Sequence, residues 1–238
     1  MESFNIKELE QGLKISAVGR YFITLDIPEH DLILKFLRPE SPLSFSPMNW
    51  SRKFSGFIRQ RKRVQKVAES FRTFHYLVES KTLAFLDCFP ETKSVEGEVL
   101  FELWGNMYRH QGFFYLQRKV EFFGSDMPLN EFDWEIIPEI QYRLWRVGVG
   151  LTSPGEVWGP RNWGRTQEGD IRLADMSSLS MDREQVLRQL SDSAREGRRF
   201  KLDKHQPSHY RNLVDPYMEF MAERFTPEIF NRIWKSDL

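Results

Sequence analysis

Hydrophobic and polar residues alternate in three short stretches near the start of the chain. These are Leu13 to Ala17 (Leu-Lys-Ile-Ser-Ala), Tyr21 to Ile27 (Tyr-Phe-Ile-Thr-Leu-Asp-Ile) and Leu32 to Leu37 (Leu-Ile-Leu-Lys-Phe-Leu). A period of two sends successive side chains to opposite faces of a strand, so each stretch predicts a strand with one buried face. Gly19 separates the first pair, and Pro28-Glu29-His30-Asp31 supplies turn residues for the second, which predicts an antiparallel meander. Beyond Pro39, a stretch with Ser41, Pro42, Ser44, Ser46 and Pro47 predicts a loop. The pattern then lengthens. From Trp50 to about Phe74 there is no Pro and no Gly after Gly56, and Phe54, Phe57, Ile58, Val64, Val67, Ala68 and Phe71 recur at helical spacing, which predicts one long helix.

Two further strands are predicted over 98–103 and 113–120, joined by a turn at His110-Gln111-Gly112. From there the period is helical. Asn130 is a capping residue type ahead of Glu131 to Val147, which carries Phe132, Ile136, Ile137, Ile140, Leu144 and Trp145, with Pro138 marking either a kink or the true first turn. Residues 148–165 are rich in Gly, Pro and Trp and predict an irregular loop, followed by a short strand over 170–174. Asp182 with Gln185 is a capping pair for a helix to about Glu196, and 197–216 predicts polar irregular chain. Leu213 to Phe225 and a segment capped by Thr226 with Pro227 close the chain as two amphipathic helices. The fold class is therefore α+β, with a strand-rich part over 1–120, a mostly helical part over 121–238, and a junction near Val120 to Gly124.

Composition narrows the classes. With 34 Lys+Arg against 34 Asp+Glu the net charge is zero, and 40% hydrophobic with 29% charged residues excludes disordered, collagenous and membrane-spanning chains. A start as charged as MESFNIKELEQ does not read as a signal peptide, and Cys88, the only cysteine, has no internal disulfide partner; both point to a reducing cytoplasm. A neutral chain disfavours a general nucleic-acid coat. One local exception is Arg52, Lys53, Arg59, Arg61, Lys62, Arg63 and Lys66, a run with no acidic residue among it. Such a run is either the solvated face of the predicted helix or a patch for an acidic protein or an anionic surface.

Most catalytic signatures are missing: no GxxxxGK[ST], HExxH, GxSxG or CxxC occurs. His205 and His209 are four apart, but Pro207 between them breaks the helix that would align them on a metal. The informative segment runs from Arg161 to Asp175, Arg-Asn-Trp-Gly-Arg-Thr-Gln-Glu-Gly-Asp-Ile-Arg-Leu-Ala-Asp. A turn at Gln167-Glu168-Gly169 between two strand-like stretches would bring Asn162 and Asp175 to the same open end of a hairpin. An amide oxygen and a carboxylate there suit Mg²⁺, a hard cation that commonly shares its ligands with nucleotide phosphates.

In this segment the chain resembles the protein-kinase-like superfamily, where a metal-binding Asn closes the catalytic loop and a metal-binding Asp follows a hairpin. The resemblance implies a bilobal fold, with a small antiparallel-sheet lobe bearing one long helix and a mostly helical second lobe. It also implies ATP and Mg²⁺ between the lobes. Lys35, in Leu-Ile-Leu-Lys-Phe, would take the place of the family's phosphate-binding lysine, and Gly19 that of its phosphate-covering loop. Glu69 would be the carboxylate that orients Lys35, with Glu79 a second choice, and the stretch ending at Glu121 would be the segment on which adenine docks. Asn162 and Asp175 would hold the metal. The family's catalytic Asp, five residues before the Asn, is replaced by Val157; Glu156 beside it is the nearest carboxylate that could serve as general base. Met176-Ser177 stands where the family has Phe-Gly, and one glycine remains of the phosphate loop's three. The expectation is a nucleotide-binding protein that is either a weak or atypical phosphotransferase to a hydroxyl, or a pseudokinase serving as a binding module through the basic helix or the C-terminal helices. A third reading is an unrelated α+β interaction protein with a fortuitous hairpin.

Overall fold

The computed structural model describes residues 13–18, 22–37, 69–103, 106–124, 127–151, 162–174, 178–195 and 198–236. Within them the chain is α+β. Strands β1 (Lys14–Val18), β2 (Phe22–Ile27) and β3 (Leu32–Leu37) form the predicted meander, and a 3₁₀ turn at Pro28–His30 with Asp31 in the left-handed region (φ 50°) reverses the chain before β3. Helix α1 over 69–79 and the short α2 (Thr82–Leu86) lead to a long hairpin, β4 (Thr92–Leu103) and β5 (Asn106–Arg118). The sheet order is β1-β2-β3-β5-β4, antiparallel throughout, so the last strand of the hairpin slots beside β3 and the two edges β1 and β4 come into contact.

The second half begins with β6 (Glu121–Phe122), then α3 (Ile136–Arg146), β7 (Gly150–Leu151), the hairpin β8 (Trp163–Arg165) and β9 (Ile171–Leu173), and β10 (Leu179–Ser180). Helices α4 (Arg183–Arg195), α5 (Arg198–His205), α6 (Val214–Arg224) and α7 (Pro227–Ile233) follow. Local signals account for several ends. Asp182 Oδ1 accepts from Gln185 N at 3.0 Å at the start of α4, and Thr226 Oγ1 accepts from Ile229 N at 3.2 Å at the start of α7, with Pro227 at its first position. No helix among the described residues is long and apolar enough to cross a membrane.

Four expectations need correction. The turn predicted at His110-Gln111-Gly112 lies inside β5: Gly112 pairs with Gly97, and its φ of 144° shows a glycine needed within a strand rather than at a reversal. Asn130 does not cap α3; it sits in a 3₁₀ turn, and the helix starts at Ile136 with Pro138 in its first turn, where a missing N–H costs nothing. Residues 198–205 form α5 although their polarity hid it, because Arg-Arg-Phe-Lys-Leu-Asp-Lys-His carries too few apolar residues to show a period; Leu202 is buried. The stretch over 148–165, predicted as loop, contributes β7 at its start and, at its end, β8, the first arm of the predicted hairpin; 152–161 lies outside the described residues. The predicted helix over 50–74 is described only from 69, and there it runs on to 79; the basic run Arg52 to Lys66 lies outside the described residues.

Two apolar clusters hold the molecule. One is drawn, among the described residues, from strands alone: Ile23, Leu25, Ile27, Leu32, Leu34, Phe36, Val99, Phe101, Phe114 and Leu116. The other joins α1 (Phe74, Leu77), α2 and Tyr115 of β5 to the helical half, with Trp145 packed edge-on against Phe225 and Phe230 and Trp163 against Phe132. The Trp-rich segment thus supplies core rings, and the C-terminal apolar stripe of Met221, Phe225 and Phe230 belongs to the same cluster.

Candidate functional site

Alternation along β3 dictates where Lys35 goes. Leu34 and Phe36 face the strand-only cluster, so Lys35 faces the other side, level with Thr24 of β2 and Tyr115 of β5. On that face the side chain is 7% exposed, and a buried ammonium must be hydrogen-bonded to persist. Its Nζ donates to Gln117 Oε1 at 2.6 Å and to the carbonyl of Ala174 at 3.1 Å. Gln117 is fully buried; its Nε2 donates to Thr92 Oγ1 at 3.0 Å, and the Thr92 hydroxyl donates to Pro90 O at 2.7 Å. Beside Lys35 on the same face, Ile33 is buried yet belongs to neither apolar cluster. Tyr115 lies between Phe71 and Phe74, its hydroxyl buried and without a hydrogen-bond partner, and burial with the nearby Glu79 holds its proton on more tightly than in an ordinary tyrosine.

The second component is the β8–β9 hairpin. Trp163 pairs with Leu173 and Arg165 with Ile171, and the turn closes through Thr166 N to Asp170 O at 2.8 Å with Gly169 at φ 95°, a conformation suited to glycine. Below the last pair, Ala174 N donates to Asn162 O at 2.9 Å, so the residues flanking the hairpin stay side by side. Ala174 therefore touches both components: its N–H holds Asn162 and its carbonyl holds Lys35. The hairpin is tied to the turn after α2 by Leu173 N–H donating to Cys88 O at 2.9 Å and by an ionic chain in which Arg172, half-buried, pairs with Asp170 and Asp87, and Asp87 approaches Arg143 of α3.

Of the candidate residues, Lys35 and the backbone carbonyl of Asn162 both hydrogen-bond to Ala174. Asp175 follows Ala174 directly but, like Gly19 and Glu156, lies outside the described residues. Glu69, at the described start of α1, accepts a hydrogen bond from the Ser180 hydroxyl; with Ser70 Oγ donating to Leu179 O at 2.9 Å, it ties α1 to β10. Lys35 donates to Gln117 and to the Ala174 carbonyl, while Glu79 accepts from Ser94 Oγ. Glu121 is exposed in β6 and lines a depression of about 370 Å³ with Asp31, Lys119 and Arg165. His205 ends α5 and His209 stacks on Tyr210; no group of three or more metal-type ligands (His, Cys, Asp or Glu) occurs among the described residues.

Sequence reasoning missed Gln117 and Thr92. Their alternation marks them as facing away from the strand-only cluster, but only the pairing of β5 with both β3 and β4 puts them beside Lys35. No protein-family model matches the chain, and no curated protein matches it.

Proposed function

We propose that this chain is a kinase-like protein of two lobes that binds ATP with Mg²⁺ between them. The observation that carries the reading is the buried Lys35 ammonium held against Ala174, the residue bonded to Asn162 and preceding Asp175. A protein has little reason to bury a lysine on a sheet face, at several kcal/mol of desolvation on the order-of-magnitude scale, unless an anion or a fixed set of dipoles repays it. Three features agree with the resemblance: the lysine lies on the third strand, a helix follows that strand, and a hairpin separates Asn162 from Asp175.

The donor set fits the group. Lys35 supplies a point charge for phosphate oxygens, and Ile33 offers an apolar surface beside it on the same face. Asn162 and Asp175 supply hard oxygens of the kind Mg²⁺ takes, and bound Mg²⁺ would neutralise charge on the phosphates. As an enzyme the protein would transfer the γ-phosphoryl group to a hydroxyl, with Glu156 as base. Val157 and Ser177, at positions where the family carries Asp and Gly, favour a second reading, a pseudokinase that binds nucleotide without turnover.

Thermal unfolding with and without Mg·ATP tests the proposal. At 100 times its dissociation constant the ligand adds about 2.7 kcal/mol, a rise of roughly 5 to 10 °C for a chain of this size. The expected result is a rise in the wild type that is lost in Lys35→Met and Asp175→Ala; no rise in the wild type rejects the reading. Single-turnover ATP consumption that is equal and near blank in wild type and Glu156→Gln leaves only the pseudokinase.

A further inference from the structure

We infer that Gln117 is the positioning residue for Lys35, aiming its ammonium at the Ala174 carbonyl through a one-way chain of hydrogen bonds anchored at Pro90. The inference rests on the nucleotide reading for its purpose, though not for its geometry.

The chain admits one direction. The Thr92 hydroxyl has one proton, and Pro90 O takes it at 2.7 Å, so Thr92 Oγ1 can only accept from the amide beside it. Gln117 must then present its NH₂ to Thr92 at 3.0 Å and its oxygen to Lys35 at 2.6 Å. A flipped amide would set NH₂ against an ammonium and a carbonyl oxygen against a hydroxyl oxygen with no proton to give, two repulsions at once. The amide is fixed by neighbours rather than by its own preference.

The two middle links sit on paired strands. Gln117 and Thr92 are register partners on β5 and β4, Gln117 is fully buried, and β5 lies between β4 and β3. A lysine carries a long flexible stem, and holding its head before ligand arrives removes an ordering cost from binding. An amide does this without adding charge. Its oxygen dipole directs the ammonium while leaving Gln117 neutral, whereas a carboxylate at the same place would offset part of the attraction for a polyphosphate.

The test uses the full chain labelled with ¹⁵N-lysine, following the Nζ resonance of Lys35, assigned by its loss in Lys35→Met, alongside titration with Mg·ADP. An ammonium held in buried hydrogen bonds exchanges slowly with water, so wild type should show a protected signal. Thr92→Val and Gln117→Leu should lose that protection and weaken Mg·ADP by roughly tenfold, the scale of one hydrogen bond to a charged group. Gln117→Glu retains an acceptor, so it should keep the protected signal while still binding Mg·ADP more weakly than wild type. That split is one a merely structural residue would not produce. Protection unchanged in folded Gln117→Leu and in Thr92→Val, or absent from wild type, overturns the inference. If Gln117→Leu does not fold, Thr92→Val decides alone. Protection that responds as expected in a protein that never binds Mg·ADP upholds the positioning role and rejects the nucleotide reading instead.

Discussion

The two faces of the five-stranded sheet are made by the same strands, one residue out of step, and they are opposites. One face is apolar across four strands, from Ile23 and Leu25 through Leu34 and Phe36 to Phe114, Leu116, Val99 and Phe101. Even His110 on that side, stacked on Phe36 at 4.6 Å, is pushed by burial towards its neutral form. The other face buries Lys35, Gln117 and the Tyr115 hydroxyl in the midst of Ile33, Phe71 and Phe74. Both faces bury their central residues, so burial alone does not separate them. What differs is that Lys35 and Gln117 are buried together with partners, Gln117 Oε1 and Ala174 O for the ammonium and Thr92 for the amide, which packing alone would not require.

The largest test of this contrast removes a ring from the apolar face. Phe36→Ala should cost about 3–5 kcal/mol in urea unfolding, because Phe101 and Phe114 cannot close over the space. A loss under about 1 kcal/mol would mean that face is loosely packed and the contrast is false.

Titration of Cys88 probes the second cluster. Burial pushes its thiol up to about 12, chiefly by desolvation, from an ordinary value near 9. Above pH 9 the unfolded chain loses this proton while the folded one keeps it. The unfolded state then binds fewer protons, so stability is full below pH 9 and falls by a few kcal/mol as pH rises towards 12. Cys88→Ser, which has no group titrating there, should make that slope shallower, leaving the part that buried tyrosines such as Tyr115 contribute above pH 10. In the native protein a thiol reagent at pH 8 should leave Cys88 unmodified, and rapid labelling would show it to be accessible.

Lys35→Met should cost no more than about 2 kcal/mol, less than Phe36→Ala, since it relieves a desolvated charge while orphaning acceptors at Gln117 and Ala174. Lys35→Met/Gln117→Leu should recover roughly 1 kcal/mol of that loss by removing one orphan. A double variant worse than the sum of the singles would show that the polar face is structural. The smallest effect lies away from both faces: Thr226→Ala should cost about 1 kcal/mol, the worth of one helix cap, measured by the same unfolding curve.

Several of these features are legible in the chain itself. The meander, the caps of α4 and α7, and the 162–174 hairpin follow from short-range rules, since alternation, capping geometry and turn residues act within a few positions. Gly112 misled because glycine signals either a turn or a strand that needs an unusual φ, and only its opposite number, Gly97, decides which. Helix α5 was hidden because polar residues can be helical when neighbours supply the burial.

The sequence by itself determined the face on which Lys35 stands, since a strand of period two leaves no choice once Leu34 and Phe36 are buried. It also determined that Asn162 and Ala174 would meet, because a tight turn binds the ends of its own strands. Only the tertiary structure decided that Lys35 meets Gln117 and Ala174, which stand 82 and 139 residues away. Contacts of that range depend on which strand inserts beside β3 and how the hairpin docks, and those choices minimise the exposed apolar surface of the whole molecule rather than of any segment.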